Sequence, residues 1–383
     1  MAETVLILDK RKKIYNFNIE QGEIEISSDF TISELNDATI PKGWIIPVTP
    51  GTSFATIGGC VASDVHGKNH HQDGCLSNHI LSLEILTGDR KKILVSNKIN
   101  SELFMATCGG MGLTGIITKV KIKLFKIKSN QIIQKNIITN SIFETAQLLD
   151  KYDNYKYSVA WIDLSNSKNL GRGILNLGKF STINKFIKIQ KKILSPPHRV
   201  MKLFLNNISI KLFNNFYFFY NKIGKKEVVV NYDSFFYPLD KIKNWNKFYG
   251  NNGFIQYQLV IPKNTFNNFA DEFLKFIKDK NIISYLTVLK LFGKKNENYL
   301  TFPIEGYTLT MDIPYKKNIE CKLNELDNLV IKYEGKVYLT KDSLLSEKNF
   351  KIMYGKLDEF VNVRKKYKCY NLFKSYQSIR LNL

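Results

Sequence analysis

Between Val48 and His71 the chain reads VTPGTSFATIGGCVASDVHGKNHH, with four glycines among small hydroxyl residues. So lightly covered a backbone lets main-chain N–H groups approach an anionic ligand closely. A second glycine cluster, Gly109-Gly110-Met111-Gly112-Leu113-Thr114-Gly115, runs straight into a strand-like Ile116-Ile117. No GxxxxGK[ST] loop occurs, and the GxGxxG from Gly110 to Gly115 opens a strand and not a helix. Neither standard nucleotide cradle is present. Two glycine segments beside strands fit one extended ligand wrapped by both.

The histidines crowd the first of these segments: His66, His70, His71 and His79 fall within fourteen residues, and only His198 lies elsewhere. Histidine is the commonest metal ligand. However, no HExxH occurs, His66 and His70 are not expected on a helix, and the nearby carboxylates are only Asp64 and Asp73. The pattern favours polar residues lining a pocket, with an imidazole at the reacting centre and no metal. Gln256 and Gln258 stand two apart in a strand-like run, so their side chains share a face. That face is either solvated or the wall of a polar cavity suited to sugar hydroxyls. Lys290 and Lys341 each follow strong apolar runs; either is ordinary surface or a cation of a site.

The elements that must hold these residues fall into regions of different texture. Up to about residue 125 short strands dominate: Val5–Leu8, Gly22–Ile26, Trp44–Val48, Leu81–Leu86 and Ile116–Ile122. Thr31–Asn36 and Ser101–Thr107 read as helical turns, with Ser101 as N-cap. From about 129 to 335 the chain is richer in aromatics and lysine. Gly253–Val260 and Ser284–Lys290 alternate as strands of an antiparallel sheet, with Phe266–Lys280 as a helix packed on it. The stretch Phe180–Asn215, with Pro196-Pro197 and many lysines, reads as a mobile lid or as an insertion with little order of its own. From Lys336 to Leu383 strand, turn and helix return, and no internal repeat is visible.

The 383 residues suffice for two domains with a full core. No run of about 18 uncharged apolar residues occurs, which argues against a membrane span. The opening residues lack the basic-then-apolar order of a secretory signal. Five unclustered cysteines (Cys60, Cys75, Cys108, Cys321, Cys369) suit free thiols in a reducing compartment, so the expectation is cytoplasmic. Lysine and arginine number 56 against 34 acids, a net charge of +22. Much of that excess follows the Lys-, Asn- and Ile-rich habit of an AT-rich genome. It also fits an anionic membrane surface, contacted peripherally at the inner face, or a phosphorylated substrate. Nucleic acid is not expected, because the lysines are dispersed and no zinc finger, RNP motif or basic arm occurs.

Pro50-Gly51-Thr52, Thr56-Ile57-Gly58-Gly59 and Asp64-Val65-His66-Gly67-Lys68-Asn69-His70-His71 together carry a family resemblance. They resemble the FAD-linked oxidoreductases of the vanillyl-alcohol oxidase type, with a PCMH-type FAD-binding domain, and within them the branch that oxidises decaprenylphosphoryl-ribose. The likeness continues through Ser101–Phe104, Gly112–Ile117, Ala160–Asp163, Leu170–Gly173, Phe236–Asp240, Phe254–Val260, Leu289–Gly293, Phe302–Ile304 and Thr340–Ser343. The resemblance implies an α+β protein. Its FAD-binding domain would be discontinuous over 1–128 and 336–383. A substrate domain over 129–335 would be an antiparallel sheet flanked by helices.

By position, the resemblance implies that Gly51, Thr52, Thr56, Ile57, Gly58, Gly59, Ser63, Asp64, Val65, His66, Ile117 and Tyr338 hold a non-covalent FAD. Tyr237, Gln256, Gln258, Lys290 and Thr310 would line the substrate pocket, with Lys341 and His66 at the reacting carbon. The implied reaction oxidises a secondary hydroxyl of a sugar, polyprenyl-phosphate-linked, to a ketone. This is the first half of an epimerisation in cell-envelope polysaccharide synthesis, completed by a short-chain reductase partner. Alditol or sugar-lactone oxidation is the alternative within the family, and a non-catalytic remnant the alternative outside it. Two departures stand out. Thr310 replaces a cysteine of the family, and Thr308 a nearby asparagine. Moreover, Met1–Asp9 aligns just after the family's pyrophosphate loop, so the first βαβ portion is expected to be missing from this sequence, and with it backbone donors for the pyrophosphate.

Overall fold

The computed structural model describes residues 12–165, 169–187, 207–242, 245 and 253–383. The expected strand Val5–Leu8, and residues 188–206 of the expected lid, lie outside the described residues. The fold is α+β. The chain divides into two compact units: Met1–Ser129 with Lys295–Thr301 and Ser346–Leu383, and Asn130–Lys294 with Phe302–Leu345.

The first unit contains β1 (Ile14–Asn18), β2 (Glu23–Ser27), β3 (Trp44–Ile45), β4 (Ile80–Leu86), β5 (Lys92–Val95), β6 (Ile116–Lys123) and β7 (Phe125–Lys126). Five of them form an antiparallel sheet in the order β1-β2-β6-β4-β5, and β3 pairs with β7. Alternation decides which face is core: Ile24, Ile26, Leu83, Ile85, Val120 and Ile122 are buried. On the other face Glu23 pairs with Lys121 and Lys123, and Glu84 with Lys119. These partly exposed ion pairs set register more than stability.

Three local expectations change. Trp44–Val48 is a strand only at Trp44–Ile45, because the Ile46 N–H donates to Asn36 Oδ1 and Pro47 has no donor. Helix Ser101–Thr107 starts at Ser101, and its N-cap is Asn100 at φ 47°, whose side-chain amide donates to the Leu94 carbonyl. His70 opens a single helical turn, His70–Asp73.

The second unit is built on eight strands: β8 (Gln131–Thr139), β9 (Tyr157–Ile162), β10 (Gly173–Phe180), β11 (Glu227–Asn231), β12 (Phe254–Pro262), β13 (Leu286–Phe292), β14 (Gly306–Pro314) and β15 (Lys336–Val337). They form one antiparallel sheet, β11-β8-β10-β9-β13-β14-β12-β15. One face is apolar, with Tyr257, Leu259, Leu309, Met311 and Leu289 buried. Helices Ile142–Lys151, Phe266–Asp279 and Ile319–Lys332 cover it. Tyr307 packs against Phe266 with their ring centroids 4.3 Å apart, tilted by 43°, and its hydroxyl donates to Asp150, while the Tyr257 hydroxyl donates to Asp327.

The opposite face is polar towards β12–β14. Towards β8–β10 it is covered by helices Asn207–Ile223 and Tyr232–Phe236. Tyr217 packs edge-on against Trp161 at 5.2 Å. A Cβ on Gly178 would lie 2.4 Å from the Phe235 ring, so only glycine admits that ring. Residues 336–345 pack with this unit because β15 pairs with β12 and the Tyr338 N–H donates to the Gln258 carbonyl.

Candidate functional site

The glycine-rich segment lies in the first unit and is folded by its own hydrogen bonds. Thr56 caps the short helix Ile57–Ala62, its hydroxyl accepting from the Gly59 N–H. The Ile57 and Gly58 N–H groups donate to the Phe30 and Ser28 carbonyls. Gly58 is glycine for that approach, since a Cβ there would sit 2.9 Å from Ser28 Cβ. The donors of Ile57, Gly58 and Gly59 are therefore used within the protein.

Earlier in the segment the picture differs. No protein acceptor is found among the described residues for the N–H groups of Gly51, Thr52 and Ala55. A Cβ added at Gly51 meets nothing within 4 Å, and Gly51 is exposed. In the second cluster Gly112 is alike: exposed, φ 75°, with open space where a side chain would be. Gly110 and Gly115 are instead pressed against the Ala106 and Leu86 carbonyls. Arg364, fully buried, donates Nε to the Leu113 carbonyl at 3.0 Å and Nη2 to the Tyr370 and Phe373 carbonyls, fixing this cluster. Open backbone at Gly51–Thr52 and Gly112 fits an anionic, extended cofactor such as FAD.

Ser63, Asp64, Val65 and His66 form a tight turn. Asp64 takes φ 40°, in the left-handed region. Its buried carboxylate accepts from the Ser77 N–H and from the side-chain amides of Asn296 (2.6 Å) and Asn298 (2.7 Å). Burial pushes its pKa up, and these donors partly offset the rise. The Asp64 side chain thus anchors the turn inside the protein, and its backbone N–H donates to the Val61 carbonyl. His66 is buried, bridged to Cys75, with its ring edge-on to His70 at 6.4 Å. Asn69 donates to the Pro47 carbonyl and to Asp73. Among the described residues no three His, Cys, Asp or Glu side chains group as metal ligands. Lys68, half-buried in the same motif, has its pKa pulled down to about 7 by burial. Ile117 lies buried on β6 opposite Ile85.

In the second unit, register gathers the expected substrate residues. Gln256 is opposite Asp312, Gln258 opposite Thr310, and Lys290 opposite Thr308. In an antiparallel sheet these side chains share one face. The Gln256 amide donates to Asp312 Oδ1 at 2.9 Å, and the Gln258 amide to Thr308 Oγ1 at 2.9 Å. Thr308 passes its own proton to the Leu259 carbonyl, so the row is rigidly oriented. Tyr338 packs against Val260 and Phe292 and stacks on Phe302 at 4.6 Å, closing one end of this face with an apolar floor. Lys341, on the turn Leu339–Lys341, lines a small cleft at the β12 edge with Gln256, Tyr257, Asp327 and Asp342. Burial lowers its pKa, and the nearby Asp312 carboxylate partly restores it. Its ammonium makes no hydrogen bond or ion pair among the described residues.

The structure thus brings Gln256, Gln258, Lys290, Thr310 and Lys341 to one end of one sheet. Tyr237 is not among them: it is buried with Tyr232 and Phe236 beside β8 and β11. Asp312 escaped the sequence reading, although Thr308-Leu309-Thr310-Met311-Asp312 alternates strictly and marks all three polar residues as one face.

The chain resembles known flavin-dependent proteins over most of its length. A family model described as an FAD binding domain matches residues 2–94. Decaprenylphosphoryl-beta-D-ribose oxidase of Mycolicibacterium smegmatis is 32% identical over 394 residues, spanning 99% of this chain and 85% of that protein. More local likeness joins the chain to D-arabinono-1,4-lactone oxidase of Candida glabrata, 27% identical over 45% of this chain and 33% of that one. D-lactate dehydrogenase of Archaeoglobus fulgidus is 32% identical over 27% of this chain and 26% of that one. With its open glycine backbone and near full-length similarity to the ribose oxidase, the chain belongs to the PCMH-type FAD-dependent oxidoreductases and uses FAD as its cofactor.

Proposed function

We propose that the protein oxidises a secondary hydroxyl of a polyprenyl-phosphate-linked sugar to a ketone. That ketone is the first product of an epimerisation in envelope polysaccharide synthesis, which a separate short-chain reductase completes. The observation that carries this reading is the face holding Gln256, Gln258, Thr310 and Lys341 together, in a chain alike over 99% of its length to a decaprenylphosphoryl-ribose oxidase. Gly51, Thr52 and Gly112 would lie along the cofactor, and His66 beside it. Bound FAD supplies the two-electron acceptor for the alcohol carbon.

The residues of the face divide the remaining work. Gln256 and Gln258, fixed by Asp312 and Thr308, present carbonyl oxygens and remaining amide protons to neighbouring sugar hydroxyls. Lys341 is poised for the proton. Burial lowers its pKa, which makes it easier for Lys341 to exchange a proton with the substrate hydroxyl as the C–H bond breaks, and the Asp312 carboxylate steadies its charged form. Lys290 supplies a second positive charge on this face, suited to a substrate phosphate. Thr310 fills less space than a larger side chain would and keeps the face polar.

The FAD-loaded protein, mixed anaerobically with a short prenyl-phosphate riboside, should lose its flavin absorbance. An alditol or a sugar lactone should bleach it far more slowly. Lys341→Met should retain flavin and slow bleaching by about 10²–10⁴-fold, the usual worth of a positioned acid–base group. Equal bleaching by all three substrates, or a Lys341→Met rate within threefold of the parent, removes the assignment.

A further inference from the structure

The helix Asn207–Ile223 is inside out. Its protein-facing side carries Asn214, whose amide donates to Asp163 Oδ1 and to Ser165 Oγ, and Tyr217, which packs on Trp161. Its outward side carries Leu212, Phe213, Phe216, Phe219, Tyr220 and Ile223, each between 59% and 68% exposed. At 3.6 residues per turn these six occupy one arc of about 120°, the width that a surface helix normally turns toward a core. Lys211 and Lys222 border the arc, Lys225 and Lys226 follow it, and no acidic residue occurs from Asn207 to Lys226.

A contiguous apolar stripe edged by lysines, on a chain of net charge +22, matches an anionic lipid surface. A second copy matches it poorly, because the same lysines would meet each other across a self-interface. Spanning is out of reach, since no described helix is long and apolar enough to cross a membrane. We propose that Asn207–Ile223 lies flat in the interface of an anionic bilayer, with its aromatic and aliphatic stripe among the acyl chains and its lysines at the headgroups. The inference does not depend on which alcohol is oxidised.

Phosphatidylcholine vesicles with and without phosphatidylglycerol test it on the full FAD-loaded chain. The parent should co-sediment with the phosphatidylglycerol vesicles and dissociate as salt rises. Phe216→Glu/Phe219→Glu should weaken that binding at least about tenfold, with flavin content and circular dichroism unchanged. The milder Leu212→Ser/Ile223→Ser should weaken it in the same direction. Lys211→Glu/Lys222→Glu should abolish the preference for the anionic lipid. A parent that ignores both vesicle types, or a Phe216→Glu/Phe219→Glu variant that binds as well, overturns the proposal. So does light scattering that shows a vesicle-indifferent dimer dissolved by the same variant, since the stripe would then be a self-interface.

Discussion

Asp163→Asn is the sharpest perturbation of the second unit. Asp163 is wholly buried at the end of β9. Its Oδ1 accepts from the Ser165 N–H, the Ser165 hydroxyl and the Asn214 amide, while Oδ2 accepts from Arg172 Nε at 3.1 Å and Nη2 at 2.9 Å. Asparagine fits the space but has one oxygen for five donors. With its oxygen toward Ser165 and Asn214, its amide faces two guanidinium N–H groups; flipped, it faces the other three donors. Two hydrogen bonds to Arg172 are then lost, at about 1.5–3 kcal/mol each. Leaving the nearly buried Arg172 uncompensated costs about 3–5 kcal/mol in all. For a unit of this size that lowers the melting temperature by about 6–20 °C. Urea titration followed by circular dichroism reads the same loss as a lower midpoint at unchanged slope. Adding Arg172→Met to Asp163→Asn should restore more than about 1 kcal/mol, because the stranded charge is gone. A single-variant loss below about 1 kcal/mol, or a strictly additive pair, would refute the reasoning.

Other consequences are more local. Gly51→Val should fold with parental stability yet hold less FAD, whereas Gly58→Val should melt earlier because its side chain strikes Ser28; retained flavin in the first, or parental melting in the second, would contradict this. Lys68 titrates near 7 in the folded protein against an ordinary 10.5, so the unfolded chain binds more protons between those values and stability should rise with pH across that window. Lys68→Met should flatten the rise in midpoint measured from pH 7 to 10; an unchanged slope would sink the assignment. Cys321 is exposed while the other four thiols are buried, with burial pushing Cys60 up to about 12 and Cys108 and Cys369 also upward. A thiol reagent should therefore label one cysteine fast and four only on unfolding, and Cys321→Ser should lose the fast phase.

Much of the site could be read in the sequence because strand periodicity is rigid. Gln256 and Gln258 had to share a face, and the register of β12 with β14 then placed Thr310 and Asp312 on it. What alternation could not give was the partner of each strand, since pairing is set by contacts far apart in the chain. Gly51 to Gly59 looked like one uniform run of bare backbone. Folding divides it, committing Ile57–Gly59 to the protein and leaving Gly51–Thr52 open. The inverted helix Asn207–Ile223 was hidden for a related reason. Its apolar spacing is that of any amphipathic helix, and only tertiary contacts, Asn214 to Asp163 and Tyr217 on Trp161, show which side faces in.

The first unit draws its final helices from residues 346–383, after the second unit has been inserted into the chain. A ribosome adding about 5–20 residues per second needs tens of seconds to travel from Ser129 to Ser346. Throughout that interval the second glycine cluster lacks the hydrogen bond that Arg364 gives the Leu113 carbonyl. The first unit therefore cannot complete its packing until the second has been synthesised, and a nascent chain stalled within the insertion would expose an unfinished first unit.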